Sequence, residues 1–149
     1  MMGIYRVILI DDEPWALAGL RKIFKWHEKH FEIAAETTNS VEALDFIRSK
    51  NPDAVFTDIR MPEVSGIELM KKIRSEGLDI EFVIISGFAE FSYAQESLRL
   101  GAFDYCLKPI QQKEADNLLR SLWEYLEQKN KSKKSAENEI NSPLPAAGG

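Results

Sequence analysis

Residues 5–15 read YRVILIDDEPW, a short apolar run that ends in three consecutive acidic residues. An apolar and β-branched run of this length is typical of a strand that is buried on both faces. The proline at residue 14, directly after the acids, favours the first turn of a helix. The stretch therefore predicts a buried strand that delivers the charged side chains of Asp11, Asp12 and Glu13 to its carboxyl end.

Further runs of this kind recur along the chain and alternate with segments of helical spacing. The predicted strands are VILI (7–10), EIAAET (32–37), AVFT (54–57), FVIIS (82–86) and FDYCL (103–107). Five apolar strands alternating with five helices indicate an α/β protein, a (βα)5 doubly wound parallel sheet with helices on both faces. Only Thr38 and Asn39 follow the second strand, which suits an outer position. We therefore expect the strand order 2-1-3-4-5 of a flavodoxin-like three-layer sandwich.

Helix boundaries follow from local signals. Ser40 is predicted to cap the second helix, and Ser65 with Glu68 has the spacing of a capping box at the start of the third. Gly77 and Gly101 are expected to end the third and fourth helices. The last helix has apolar residues at i, i+3, i+4, i+7 and i+11, which predicts a stripe that packs on the sheet. These residues are Ala115, Leu118, Leu119, Leu122 and Leu126.

The length of 149 residues, with 44% hydrophobic and 29% charged residues, is sufficient for one globular domain with its own core. We expect this domain to span residues 1–127. Residues 128–149 are rich in Lys, Ser, Asn, Pro and Gly, and few of them are large and apolar. They are predicted to be a largely disordered, flexible linker or a tail added for expression.

The net charge of −5 and the single cysteine restrict partners and location. Because residues 128–149 hold four lysines and two glutamates, the remainder is more acidic than the total, and direct nucleic-acid binding is not expected. Cys106 alone excludes a disulfide within the chain and favours a reducing compartment. No apolar run approaches the roughly 18 residues that span a bilayer, and no signal peptide is recognisable. We therefore predict a cytoplasmic protein without membrane association.

Chemically active side chains follow four of the five predicted strands. They are Asp11 and Asp12 after the first strand, Asp58 after the third, Ser86 at the end of the fourth and Lys108 after the fifth. Because the carboxyl ends of parallel strands meet at one edge of a sheet, we expect these side chains to converge. Close carboxylates raise one another's pKa unless a cation neutralises them, and all-oxygen ligands suit Mg²⁺, with Mn²⁺ as an alternative. The added lysine and hydroxyl predict a site for a phosphoryl group.

Asp58 is the predicted nucleophile, because it stands alone at the end of the central strand, whereas Asp11 and Asp12 form a pair suited to holding a metal. A carboxylate can attack phosphorus and form an aspartyl phosphate. Taken singly, each residue has an ordinary interpretation: Asp12 and Glu13 could cap the first helix, and Lys108 could be a solvated charge. Their combination at four strand ends favours the phosphoryl site.

The motifs ILIDDEP, VFTDIRMPEVSGIEL, VIISGF and AFDYCLKP resemble, in this order and spacing, the receiver domain of two-component response regulators. The resemblance extends from about residue 5 to residue 126. It implies that Asp58 is the phosphoacceptor and that Lys108 is the family's invariant lysine, joined to Pro109 by a cis peptide bond. It further implies that Asp11 and Asp12 are the acidic pair, with Mg²⁺ held by Asp12, Asp58 and the backbone carbonyl of Arg60.

The same resemblance implies a signalling switch that is activated by phosphorylation. The phosphodonor would be a phosphohistidine on a sensor histidine kinase, and the chain would catalyse only its own Mg²⁺-dependent phosphorylation and dephosphorylation. Phosphorylation would draw in the switch residue Ser86 and let the switch aromatic Tyr105 turn inward. This would change the surface of the fourth and fifth strand–helix units, which commonly mediates homodimerisation in the family. Arg60 and Phe88 would tune the lifetime of the phosphoryl group.

The longer stretch of residues 86–110, SGFAEFSYAQESLRLGAFDYCLKPI, is similar to receivers joined to AraC-type helix-turn-helix output domains, which control transcription. Such an output domain is expected to be missing from this chain. A flavin-binding protein of the same fold would need a glycine-rich phosphate loop in place of DDEP. A phosphoester hydrolase would need an acid two residues beyond Asp58, where this chain has Arg60. A receiver that has lost phosphorylation is disfavoured because the acceptor-site residues are all present.

Overall fold

The structure is a computed structural model that describes residues 3–141; for residue 88 and residues 134–141 it describes the backbone alone. Strands and helices alternate along the chain. The strands are β1 (Tyr5–Ile10), β2 (Phe31–Thr37), β3 (Ala54–Asp58), β4 (Glu81–Ser86) and β5 (Asp104–Leu107). The helices are α1 (Pro14–Ile23), α2 (Ser40–Lys50), α3 (Gly66–Ser75), α4 (Phe91–Arg99) and α5 (Gln112–Asn141), with short 3-10 helices at His27–Lys29 and Phe88–Glu90.

The five strands form one parallel sheet in the order β2-β1-β3-β4-β5. The predicted (βα)5 fold and strand order are therefore confirmed. The chain adds β2 on one side of β1 and then reverses, adding β3, β4 and β5 on the other side. A crevice opens where the strand order reverses, at the carboxyl ends of β1 and β3.

Two hydrophobic clusters cover the two faces of the sheet. Successive side chains of a strand point to opposite faces, so β1 supplies Val7 and Leu9 to one cluster and Ile8 and Ile10 to the other. The first cluster contains residues of α1 and α5, and the second contains residues of α2, α3 and α4. This gives the predicted three layers and leaves the strand ends as the edge where polar residues collect.

Several of the predicted helix boundaries are confirmed. Pro14 is the first residue of α1. Ser65 and Glu68 form a capping box, because the Ser65 side chain accepts from the Glu68 amide and the Glu68 carboxylate accepts from the Ser65 amide. Gly77 and Gly101 follow α3 and α4 with φ angles of 76° and 102°. These short-range signals set the ends of the helices that flank the crevice.

The predicted cap of α2 is wrong by one residue. Asn39 is the N-cap, and its side-chain oxygen accepts hydrogen bonds from the amides of Val41 and Glu42, both at 2.9 Å. Ser40 is the first helical residue and is buried. Asparagine and serine cap helices about equally well, so local preference did not separate the two neighbours. Ser40 differs from Asn39 because its side chain hydrogen-bonds to the loop between β3 and α3.

The last helix is longer than expected. We predicted disorder from Gln128 onward, but α5 continues to Asn141. Lys129, in this continuation, pairs with Asp79 at 2.6 Å and with Glu81 at 2.8 Å, next to the start of β4. Lysine, glutamate and alanine are also good helix formers. Residues 142–149 lie outside the described residues, and a domain boundary at residue 127 stays a prediction.

Within residues 3–141, no helix combines the length and the apolar character needed to cross a bilayer.

Candidate functional site

The three predicted acidic residues meet at the carboxyl edge of the sheet. Asp11 and Asp12 directly follow β1, and Asp58 is the last residue of β3. One carboxylate oxygen of each lies within 4.8 Å of those of the other two. Asp11 is completely buried, whereas Asp12 and Asp58 are partly exposed. The predicted convergence is therefore present, and two of the three carboxylates face solvent in part.

Asp11 is held by the backbone around it. Its amide donates to the carbonyl of Thr37 at 3.3 Å, and its side chain accepts from the amide of Glu13 at 3.0 Å. Glu13 occupies the N-cap position of α1, but its side chain makes no capping hydrogen bond. Capping of α1 by this side chain therefore does not account for the acidic run.

Lys108 reaches both sides of the acidic cluster. Its ammonium group lies 3.0 Å from Asp11 Oδ2 and 3.4 Å from Asp58 Oδ1. The Lys108 amide donates to the carbonyl of Ser86 at 2.7 Å, which joins the end of β5 to the end of β4. The peptide bond to Pro109 is cis, as the family resemblance implied. Burial lowers the pKa of Lys108, but its hydrogen bond to Asp11 and the two carboxylate charges raise it by more, so the group stays cationic.

The environment of Asp58 disfavours its charged form. Burial, followed by the negative charge of Asp11, raises the pKa of Asp58 to about 7. Lys108 opposes this shift, and Asp12 adds to it. A carboxyl group with such a pKa is only partly ionised near neutral pH. A divalent cation at the cluster would favour the ionised form, because it would replace repulsion by attraction.

Ser86 ends β4 and is completely buried. Among the described residues, its hydroxyl has no hydrogen-bond partner. Buried hydroxyl groups are nearly always paired, because an unpaired one has lost its bonds to water. A buried, unpaired hydroxyl at the end of the strand next to Asp58 is suited to binding an oxygen atom of a ligand.

The side chains of Tyr105 and Arg60 both contact aromatic residues of α4. The Tyr105 ring on β5 is partly buried and lies 6.0 Å from the Phe91 ring, edge to face. The Arg60 guanidinium is exposed and lies 5.8 Å from the ring centroid of Tyr93. These contacts connect the loop after Asp58 and the strand before Lys108 to the same helix. Sequence spacing did not predict the contact between Arg60 and Tyr93.

The donor set fits a hard divalent cation. All three side chains offer carboxylate oxygens, which Mg²⁺ and Mn²⁺ prefer. Among the side chains that the structure describes, this is the one group of three acidic, histidine or cysteine residues whose ligand atoms lie so close together. The unpaired Ser86 hydroxyl and the Lys108 ammonium group add donors for an anion beside the cation. The cluster therefore suits a cation that is shared between protein and phosphate oxygens.

An apolar groove beside Lys108 was not predicted from the sequence. It is a cavity of about 510 Å³ between α1 and the segment after β5, lined in part by Trp15, Ile23 and Ile110. Trp15 is 72% exposed. Trp15, Gly19 and Ile23 recur at four-residue spacing on α1, and this periodicity was the available signal. The groove places apolar surface directly next to the charged site.

Comparisons with known proteins agree with this geometry. Residues 7–120 match the family model for the response regulator receiver domain. The chain therefore belongs to the response regulator receiver domain family, and the resemblance read from its motifs is confirmed.

Its relatives include regulators from Gram-positive bacteria. The chain is 33% identical to the uncharacterized transcriptional regulatory protein YesN of Bacillus subtilis (strain 168), over 88% of this chain and 36% of YesN. It is 32% identical to the transcriptional regulatory protein HptR of Staphylococcus aureus (strain NCTC 8325 / PS 47), over 87% of this chain and 52% of HptR. The chain thus spans between about a third and a half of the length of these curated relatives.

A solved structure with the same fold is the REC domain of AraT, a response regulator from Geobacillus stearothermophilus. The TM-score is 0.80 at 35% sequence identity, covering 85% of this chain and 98% of that domain. This chain is therefore similar to a complete receiver domain.

Proposed function

We propose that this chain is a phosphorylation-activated switch that accepts a phosphoryl group from a sensor histidine kinase onto Asp58. The observation that carries the proposal is the convergence of three carboxylates and one ammonium group, with Lys108 Nζ 3.0 Å from Asp11 and 3.4 Å from Asp58. Opposite charges held this close at a partly open strand end serve to stabilise a transferring phosphoryl group.

The residues divide the chemistry between them. An Asp58 oxygen forms a bond to phosphorus while the bond between phosphorus and the histidine nitrogen of the donor breaks. Lys108 and Ser86 donate to the oxygens of the transferred group, and buried Asp11 anchors Lys108 through their 3.0 Å hydrogen bond. Mg²⁺, or Mn²⁺ in its place, held by Asp12, Asp58 and the carbonyl of Arg60 beside Asp11, would neutralise the charge that accumulates during transfer.

Turnover of other substrates is not part of the proposal. Hydrolysis of phosphoesters through an aspartyl phosphate would need a general acid or base two residues beyond the nucleophile, and Arg60 occupies this position. We infer that the chain catalyses only its own phosphorylation and dephosphorylation, with Arg60 and Phe88 affecting the rate of the second step. The side chain of Phe88 lies outside the described residues.

The output of the proposed switch is a change in the protein partner that this chain binds. A phosphoryl oxygen that binds the Ser86 hydroxyl would draw it toward Asp58, and Tyr105 would then turn inward, away from Phe91. This movement would alter the surface made by α4, β5 and α5 and favour a homodimer. In a longer protein of this kind the dimer would control a DNA-binding output domain and hence transcription, with the receiver itself making no DNA contact and acting in the cytoplasm.

Phosphorylation by a small phosphodonor tests the proposal. Wild-type protein incubated with acetyl phosphate and Mg²⁺ is expected to gain one phosphoryl group, measured by intact-protein mass spectrometry. Asp58→Ala should gain none, and chelation of Mg²⁺ should abolish uptake by the wild type. Asp45→Ala, which removes an exposed acid on α2, is the matched control and should behave as wild type. Equal uptake by Asp58→Ala and wild type would eliminate Asp58 as the acceptor.

A further inference from the structure

Ser40 links the start of α2 to the loop between β3 and α3. Its hydroxyl donates to the carbonyl of Pro62 at 2.8 Å and accepts from the amide of Val64 at 3.3 Å. Ser40 is 5% exposed, so water does not readily replace either bond. One buried hydroxyl therefore bridges two backbone groups that lie 22 and 24 positions further along the chain.

The bridged segment has an unfavourable backbone conformation. Glu63, between Pro62 and Val64, has a φ angle of 71°, which lies in the left-handed region that side chains other than glycine rarely adopt. The amide of Val64 also donates to the carbonyl of Pro62 at 2.9 Å, closing a tight turn around Glu63. A turn of this kind persists only where its surroundings hold it. The Ser40 hydroxyl contacts both ends of the turn.

The loop that carries this turn also carries Arg60, two residues after Asp58. A hydrogen bond also joins the two ends of this loop, because the Gly66 amide donates to the carbonyl of Ile59 at 2.9 Å. Between Ile59 and Gly66, the side chain of Ser40 hydrogen-bonds the loop to α2. The segment after Asp58 is therefore held in part by a residue at the start of α2.

We propose that Ser40 is a positioning residue of the metal site, whose hydroxyl holds the β3–α3 loop in the conformation that lets the Arg60 carbonyl bind a divalent cation together with Asp12 and Asp58. This inference rests on the proposed function, since it concerns the same cation. Ser40 touches neither the cation nor the phosphoryl group. It acts through the turn at residues 62–64, in the way that groups behind metal ligands orient them.

Direct measurement of Mg²⁺ binding tests the role of Ser40. Ser40→Ala is expected to raise the dissociation constant for Mg²⁺ about ten-fold in isothermal titration calorimetry, the effect typical of removing a group that orients metal ligands. Its phosphorylation rate at saturating Mg²⁺ should remain close to that of wild type, because the reacting groups are intact. Ser97→Ala is the matched control, since Ser97 is also buried and donates to the Ala94 carbonyl within α4. It should bind Mg²⁺ as wild type does.

Thermal stability and Mg²⁺ affinity, measured on the same variants, distinguish a positioning role of Ser40 from a role in packing alone. Thermal unfolding of both variants in EDTA gives the structural cost of losing a buried hydroxyl. If Ser40→Ala loses stability but binds Mg²⁺ as tightly as Ser97→Ala, the positioning role is overturned. Wild-type protein that fails to bind Mg²⁺ would overturn this inference and the proposed cation site together. If wild type and Ser40→Ala bind Mg²⁺ equally and both are phosphorylated on Asp58, the positioning role fails and the proposed function stands.

A second pair of variants, with and without the Ser40 hydroxyl in the Glu63→Gly background, tests whether the hydroxyl acts through the turn. Glycine adopts positive φ angles readily, so Glu63→Gly removes the backbone strain against which the Ser40 hydroxyl holds the turn. In the Glu63→Gly background, removal of the Ser40 hydroxyl is expected to weaken Mg²⁺ binding less than in the wild-type background. An equal loss of affinity in both backgrounds would show that the hydroxyl does not act through the turn.

Discussion

At the scale of single residues, the surroundings of Asp58 oppose the charge that its proposed role as phosphoacceptor requires. A carboxylate must be ionised to attack phosphorus, yet burial and Asp11 raise the pKa of Asp58 to about 7. Lys108 offsets the repulsion in part. A cation bound at this cluster would therefore compete with a proton for the Asp58 carboxylate.

We predict that Asp58 makes the metal-free protein less stable as the pH rises. Between the ordinary pKa of 3.8 and the folded-state value of about 7, the folded protein binds a proton that the unfolded chain has released. This stabilising contribution is complete at low pH and is lost as the pH rises through about 7. Because solvent screens a partly exposed group, the expected loss in the free energy of unfolding is on the order of 1 kcal/mol.

Urea unfolding in EDTA, compared between wild type and Asp58→Asn, measures this contribution. The amide does not titrate, so the stability of wild type relative to Asp58→Asn should fall from about pH 5 to about pH 8. Mg²⁺ should bind wild type more tightly at the upper end of this range. Parallel stability profiles for the two proteins would contradict the raised pKa.

At the scale of secondary-structure elements, the start of α3 packs directly against the end of β3. A Cβ atom on Gly66 would collide with the backbone carbonyl oxygen of Asp58 and lie 3.2 Å from Ile59 Cα and from Thr57 Cγ2. We predict that Gly66→Ala lowers the free energy of unfolding by about 2 kcal/mol, because backbone atoms must move to relieve the overlap. Chemical denaturation measures the change.

Gly19→Ala is the control, and its expected effect on the free energy of unfolding has the opposite sign. It lies inside α1, and a Cβ atom there would meet nothing within 4 Å. Gly19→Ala should stabilise the protein by roughly 0.5 to 1 kcal/mol, the ordinary gain from replacing glycine in a helix. Equal effects of the two substitutions would show that the contact between Gly66 and Asp58 does not limit this position.

Lys129 joins the C-terminal part of α5 to the start of β4. Lys129 hydrogen-bonds with Glu81, whose side chain is only 8% exposed, and with Asp79. We predict that Lys129→Ala lowers the free energy of unfolding by about 2 kcal/mol, because a buried carboxylate loses its cation. Circular dichroism should also show loss of helix beyond residue 128.

Lys133→Ala is the matched control on the same helix. Lys133 lies 3.3 Å from Asp79, but its side chain is 60% exposed. An exposed pair contributes little, so the change should stay within about 0.5 kcal/mol. Similar destabilisation by both lysine variants would show that the burial of Glu81 does not set the contribution of Lys129, since alanine is itself the better helix former.

At the scale of the whole molecule, most of the exposed large apolar side chains belong to two helices and a neighbouring residue. Among the described residues, five of the eight large apolar side chains that are exposed belong to α4, its immediate C-terminal neighbour or α5. They are Phe91, Tyr93, Leu98, Leu100 and Tyr125. Tyr105 and Arg60 both contact α4, so this surface lies next to the elements that the phosphoryl site would move. This surface is where we propose the dimer interface, since exposed apolar side chains favour association.

We predict that activation with beryllium fluoride and Mg²⁺ shifts the protein from monomer toward dimer in sedimentation velocity experiments. Leu98→Arg should prevent the shift, because a charge would then be buried in the interface. Val41→Arg, at a similarly exposed apolar residue on α2, should dimerise as wild type does. Unchanged sedimentation of wild type after activation, or a dimer that Leu98→Arg does not weaken, would contradict an interface on α4.

The sequence by itself determined which elements form, their order and several of their ends. Apolar runs of strand length, the helical stripe of α5 and the capping box at Ser65 and Glu68 depend on energies between near neighbours, which a short stretch contains in full. Because parallel strands present their carboxyl ends at one edge, Asp58 and Lys108 could be placed at the same site without coordinates.

Only the tertiary structure decided the distances between the site residues, their burial and the hydrogen bonds between segments that are remote in sequence. Lys108 and Asp11 are 97 positions apart, and their hydrogen bond exists because β1 and β5 end at the same edge of one sheet. The raised pKa of Asp58 and the bridge from Ser40 to Pro62 likewise depend on which side chains exclude water. These quantities arise from the packing of segments distant in sequence, so no local pattern contains them.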